Sequence, residues 1–325
     1  MNILEFAQIA GVSTATISRA FHEPDKIRPA TRQRILDLAA NLRYYPNPNA
    51  RALIKGRHDV LGLVWPLEIE GADAPFTQRL LAALSRQLVV HDLDLLLSPV
   101  DRSQPASLDH ARRTLRRSRC DGWVLLYPRQ DDPLIEALRA SGKPVTCMMG
   151  KVPGCPDWKS VRLNQSLWIE DALRRFRARR ARHVLFFGGR PGEPDNEDRL
   201  QAFLELAPRY CKRHSVLPAW PAQAATLKPR LTGPERVDAI IAVDAAAALG
   251  AVRACRELKL AVPEQVPVLG IDAFPDPDHP ELSPARYAQP LDEMAACAVE
   301  LTLGLRQRSR TFAPVKLAHP APTTA

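Results

Sequence analysis

From Val60 onward, short apolar runs return at intervals filled by amphipathic helical stretches. The runs are VLGLVW, LDLLLSPV, GWVLLYP, PVTCMMG, HVLFFGG, AIIAVD and VPVLGID. Near-continuous apolar strands separated by crossover helices predict a mainly parallel sheet covered on both faces. Seven or more strands over about 260 residues exceed one such layer and predict two. The tail, RTFAPVKLAHPAPTTA, reads as a strand followed by a loose end.

The first 45 residues follow a helical period instead. Asn2 caps a first helix and Glu5, three residues on, completes a capping box. Phe6, Ile9 and Ala10 supply its apolar face, and Gly11 ends it with a left-handed residue. Ser13 caps a second helix that runs to about Phe21, and HEPDKIRP is a loop. Pro29 suits the first turn of a third helix with a buried stripe of Ile35, Leu36, Leu38, Ala39 and Leu42. YYPNPNARALIKGRHD, rich in Pro and Asn, reads as a linker, and a helix at residues 49–55 is too short to stand alone.

Two helices joined by a glycine turn, with a third across them, describe a helix-turn-helix unit. Its second helix presents Ser13, Thr14, Ala15, Thr16, Ser18 and Arg19, short polar groups plus one guanidinium that pairs with guanine. Residues 1–58 carry nine Lys or Arg against four Asp or Glu, over half of the chain's net +9. Such a field suits backbone phosphates.

Other classes find little support. The six cysteines, at 120, 147, 155, 211, 255 and 297, form no C-x-x-C pair, and neither a zinc site nor a disulfide framework is expected. No basic and apolar leader opens the chain, and no apolar run reaches the roughly 18 residues of a membrane span. The chain therefore reads as cytoplasmic, with no membrane partner. G-x-G-x-x-G, P-loop, G-x-S-x-G and H-E-x-x-H motifs are missing, so neither an enzyme nor a cofactor or metal site is expected. The arginine runs at 112–119 and 174–182 read as solvated helix faces.

NILEFAQIAGVSTATISRAF, IRPATRQRILDLAANLRYYPN and ARAL, in this order and spacing, resemble the lactose-repressor (LacI) family of bacterial transcription regulators. The resemblance extends over most of residues 2–305, through CDGWVLLYP, SGKPVT, HVLFFGG and LAVPEQVPVLGIDA. It implies an all-α head followed by two doubly wound α/β lobes of the periplasmic-binding-protein type. Residues 1–45 would form the DNA-binding domain, 46–58 a hinge, and 59–325 the ligand-binding and dimerisation core. The first lobe would take about 59–159 and 288–325, the second about 160–287, with crossovers near 160, near 287 and near the C-terminus. The resemblance adds Arg28, Thr31, Arg32, Asn47, Ala50, Arg51 and Leu53 to the DNA-binding set. Leu53 would wedge into the minor groove from a helix that folds on DNA.

In the core the resemblance assigns ligand contacts to Phe76, Arg199, Trp220, Asp244 and Asp272. Val243 stands where the family has an asparagine, which removes one polar contact, and Asn164–Gln165 replaces an Asp-Asn pair. The implied function is a repressor that binds a pseudo-palindromic double-stranded operator as a homodimer. A small effector, a sugar or sugar acid, would control it from between the lobes. The altered cleft motifs keep a second possibility open, a DNA-binding regulator whose core is a ligand-free or protein-controlled dimerisation platform.

Overall fold

The computed structural model describes residues 1–46, 56–67, 74–117, 119–189, 192–219, 223–272 and 285–316. They fall into two compact units, Met1–Asp59 and Val60–Ala325.

The first unit contains α1 (Ile3–Ala10), α2 (Thr14–His22) and α3 (Pro29–Asn41). The Asn2 side chain accepts from the Leu4 and Glu5 amides at 2.9 and 3.0 Å, and Glu5 accepts from the Asn2 amide at 3.0 Å. Gly11 ends α1 at φ 65°, where any Cβ would be strained. Ser13 Oγ accepts from the Thr16 amide at 3.1 Å and caps α2, a bond worth about 1 kcal/mol. Phe6, Ala7, Ala10, Ile17, Ala20, Ile35 and Ala39 are buried together.

Three details depart from the sequence expectation. Ile9 is 56% exposed and Leu42 41% exposed, so neither belongs to the core. Tyr44, the first residue of the expected linker, closes the core by stacking on Phe6 at 4.1 Å and meeting Phe21 edge-on. The small helices leave one open side, and an aromatic ring from beyond α3 fills it.

The second unit is built on two six-stranded sheets. In chain order, β1 (Val60–Pro66), β2 (Asp94–Val100), β3 (Gly122–Leu126), β4 (Val145–Met148) and β5 (Lys159–Leu163) belong to the first sheet. β6 (His183–Phe187), β7 (Arg213–Leu217), β8 (Ala239–Ala242), β9 (Val268–Ile271) and β10 (Ala285–Ala288) belong to the second. β11 (Arg310–Phe312) returns to the first sheet and β12 (Val315–Lys316) to the second. The strand orders are β11-β5-β4-β3-β1-β2 and β12-β10-β9-β8-β6-β7. Every described pairing is parallel except β10 with β12.

The connecting helices are α4 (Ala74–Val90), α5 (Pro105–Arg117), α6 (Ile135–Ala140), α7 (Gln165–Ala178), α8 (Pro194–Leu206), α9 (Ala224–Thr232), α10 (Ala245–Glu257) and α11 (Leu291–Thr302). α11 packs on α4 and on β3, β4 and β5, so it covers the first sheet. The chain therefore passes between the lobes three times, after Leu163, after Ala288 and after Phe312. The first lobe thus keeps β5 rather than ending at 159, and β12 takes part of 288–325 into the second lobe.

The seven apolar runs became strands because each lies inside a sheet or pairs along its full length with an inner strand. β3, β4, β6, β8 and β9 are buried at every position. Gly62 in β1 shows how tight the first lobe is. A Cβ there would lie 2.3 Å from the Trp123 ring, so the indole crosses the strand where only glycine fits. None of the six cysteines is in a disulfide. Among the described residues no helix is long and apolar enough to cross a membrane.

Candidate functional site

In open α/β sheets ligands gather beyond the carboxyl ends of the strands. Three non-glycine residues take left-handed backbone one position beyond a strand here. They are Tyr127 (φ 45°) after β3, Met149 (φ 64°) after β4 and Asp272 (φ 55°) after β9. Such conformations cost energy and collect at functional sites. The two lobes also meet along these ends. The Gln130 amide donates to Gly192 O at 3.4 Å, and Arg162 donates to Asp198 at 3.3 Å. A Cβ on Gly150 would stand 3.1 Å from Pro128 and 3.4 Å from Pro194.

Arg199 lies at the centre of this edge. It is 5% exposed on α8. Its Nε donates to Gln165 Oε1 at 3.3 Å, one Nη to Val243 O at 2.6 Å, and the other to Asp195 Oδ2 at 2.5 Å. Gln165 donates in turn to Asp195 Oδ1 at 2.7 Å and accepts from the Trp168 indole at 2.7 Å. Burial opposes the guanidinium charge, but the Asp195, Asp272 and Asp244 carboxylates hold its pKa above the usual value. Burial pushes Asp195 up, while Arg199 pulls the other way.

Asp272 is 8% exposed. Its two oxygens accept from the Gln289 amide at 3.0 Å and the Gln289 side chain at 2.7 Å. Burial raises its pKa to about 6, against the pull of Gln289 and Arg199. Asp244 accepts from the Ala247 amide at 2.7 Å and caps α10, so its carboxylate has a structural task beside any ligand contact. Phe76 is 4% exposed and meets Tyr127 at 6.4 Å, edge to face. The structure thus gathers Arg199, Asp244 and Asp272 into one electrostatic group. Phe76 joins the packed wall beneath Tyr127's ring edge, not an open stacking face. Trp220 lies outside the described residues.

Sequence reasoning missed Tyr127, Asp195 and Gln289 as site residues and noted Gln165 only as a departure. Asp195 had a readable signal, four residues before Arg199 on one helix face. Gln289 reaches Asp272 across 17 positions of sequence, a contact that only the sheet creates.

In the first unit, Ala15, Ser18 and Arg19 are exposed on one face of α2, opposite Ile17 and Ala20. Thr14 and Thr16 are half-buried, and the Thr16 hydroxyl is 2.9 Å from Ser13 Oγ. Arg28 is exposed immediately before α3, and Thr31 is half-buried in its first turn. Arg32 Nε donates to Ala20 O at 3.1 Å. That bond fixes α3 to the end of α2. Asn47, Ala50, Arg51 and Leu53 lie outside the described residues. The arginine run on α7 is partly neutralised along its own helix, by Arg174–Glu170 and Arg175–Asp171 pairs.

The first unit is thus a capped, basic helix-turn-helix, and the second is built of two parallel-sheet lobes. The bacterial regulatory protein model of the lacI family matches residues 2–47, and the periplasmic binding protein-like domain matches residues 173–323. The chain therefore carries a lacI-family regulatory domain at its head and a periplasmic binding protein-like domain in its body. It is 32% identical over 157 residues to the HTH-type transcriptional regulator RafR of Escherichia coli, which covers 47% of this chain and 45% of RafR. The chain thus spans about half the length of that relative. The Lac repressor bound to ONPG in its repressed state superposes with a TM-score of 0.78 at 19% identity, over 98% of both chains. The complex of the transcriptional regulator CelR with cellobiose gives 0.68 at 24% identity, over 97% of both chains.

Proposed function

We propose that this chain is a DNA-binding transcription regulator, acting as a repressor, whose operator affinity is set by a small polyhydroxyl effector between the two lobes. The observation that carries the sensor half is the convergence of Arg199, Asp272 and the strained Tyr127 at the strand ends where the lobes meet. Hydroxyls need both donors and acceptors, and this edge offers a guanidinium, the three carboxylates of Asp195, Asp244 and Asp272, and the Gln165 and Gln289 amides. CelR's cellobiose complex supports a carbohydrate.

The DNA half rests on the α2 face. Ser18 and Arg19 would read the major groove, with Thr14, Ala15 and Thr16 near them and Ser13 fixing the helix end. Arg28, Thr31 and Arg32 would hold phosphates. One head covers a half-site, so a pseudo-palindrome needs a homodimer. Asn47, Ala50, Arg51 and Leu53 are assigned to the hinge, with Leu53 as the groove wedge. An effector that favours one lobe arrangement would shift the population that binds DNA.

A second reading has its own observation. Arg199 already meets Gln165, Val243 and Asp195, as it would in a platform that needs no ligand. Thermal unfolding against a panel of sugars, sugar acids, sugar phosphates and nucleobases separates the two. A ligand at a hundred times its Kd stabilises by about 2.7 kcal/mol. A hit lost in Arg199→Ala and Asp272→Ala supports the sensor. A blank panel with operator binding intact supports the platform.

A further inference from the structure

We infer that Asp195 sets the charge selectivity of the cleft: by neutralising Arg199 from within the protein, it makes the site accept uncharged polyhydroxyl effectors and reject their carboxylate and phosphate counterparts. The inference rests on the sensor reading above and narrows its ligand.

A buried arginine is by itself an anion trap, since its rigid fork matches carboxylate and phosphate. Here the fork is occupied. Asp195 stands one helical turn before Arg199 and faces it, with side-chain exposures of 7% and 6%. Both Asp195 oxygens are used, one by Arg199 and the other by Gln165. Gln165 is held in turn by the Trp168 indole. The pair is therefore held from both sides, Asp195 by Gln165 and Arg199 by Gln165 and Val243 O.

The surroundings add to this. Asp244 and Asp272 lie within the electrostatic reach of Arg199. Arg162, at the end of β5, is paired with Asp198. Among the described residues, carboxylates outnumber guanidiniums across the cluster, so an entering anion meets like charge in a poorly screened place. An uncharged ligand meets none of that cost. Three of the five guanidinium N–H groups have protein acceptors, which leaves donors for hydroxyls without leaving a net charge for an anion.

The test is thermal unfolding of the full chain at constant ionic strength, against matched pairs. Cellobiose is set against cellobionic acid, maltose against maltobionic acid, and galactose against galactonate and galactose 6-phosphate, with further neutral sugars beside their acids. The expected result is stabilisation by neutral members only. In Asp195→Asn, the acid matching each hit should gain about tenfold or more in affinity, while the neutral sugar changes less. The wild-type comparison stands even where the variant fails to fold. An acid or phosphate that binds the wild type as tightly as its neutral partner overturns the inference, as does discrimination unchanged in a folded Asp195→Asn. No hit in either class, with operator binding intact, removes the sensor reading and this inference with it.

Discussion

Each lobe carries a buried arginine–aspartate pair beside the carboxyl ends of its strands, and the two pairs do different work. In the first lobe Arg102 donates to Asp132 at 3.0 Å, with side-chain exposures of 1% and 0%. Asp132 also accepts from the Leu134 amide at 3.0 Å and the Arg129 amide at 3.4 Å, and Arg102 donates to Leu126 O at 3.3 Å. That pair is closed on backbone and ties the segment after β2 to the loop after β3, the loop that begins with Tyr127. In the second lobe Arg199 donates to one backbone carbonyl, Val243 O, but the pair is otherwise bound by the Gln165 side chain, and Arg199 feels two further carboxylates. On the proposed reading, the first pair is structural and the second is open to a ligand.

The comparison breaks most visibly in Asp132→Ala. Removing one partner leaves an enclosed guanidinium uncompensated and should cost about 3–5 kcal/mol, seen as a fall in the urea midpoint. Replacing both partners, in Arg102→Met with Asp132→Leu, should recover the part of the loss due to the uncompensated charge, but not the part due to the Leu134 and Arg129 amides, which still lose their acceptor. A single-variant cost under about 1 kcal/mol would show that the first pair holds nothing.

Asp272 sharpens the contrast through pH. Its folded pKa of about 6 lies above the ordinary carboxyl value, so the folded state holds the proton more tightly. The associated stabilisation is present below about pH 4 and is lost as pH rises through about 6, a span worth about 3 kcal/mol. Asp272→Asn should flatten the stability profile across that window. An unchanged slope would place the titration elsewhere.

Asp195→Asn should cost less than Asp132→Ala, about 1–3 kcal/mol, because the amide keeps a hydrogen bond to Gln165. Equal losses in the two variants would erase the distinction between the pairs. The smallest stability effect belongs to a third arginine, Arg19, which is exposed on α2. Arg19→Ala should leave the unfolding midpoint within about 0.5 kcal/mol but weaken operator binding by about 1–3 kcal/mol. A large loss of stability would mean that Arg19 supports the head instead of reading DNA.

Legibility followed locality. Asn2, Glu5, Gly11, Ser13 and Pro29 act within one turn of themselves, and each marked its helix end in the sequence. The seven apolar runs were legible because central strands are buried on both faces. Lys159–Leu163, Arg213–Leu217 and Ala285–Ala288 were not. β7 is an edge strand with no fully buried residue, and β5 has only two, so neither needs an apolar run. Tyr44 was hidden by the Pro and Asn residues that follow it. In the cleft, Arg199 and Asp272 were found through resemblance, but their partners Gln165 and Gln289 are brought in by the chain's passages between lobes, which no local pattern records.

The most direct test couples the two units. Operator DNA selected with the full chain is labelled and its affinity followed by fluorescence anisotropy while the best panel hit is titrated, in the wild type and in Arg199→Ala. A coupled sensor should show at least a tenfold change in operator affinity, about 1.4 kcal/mol of coupling, in the wild type and none in the variant. A ligand that binds the wild type without moving operator affinity, or a shift that persists in Arg199→Ala, would contradict the account.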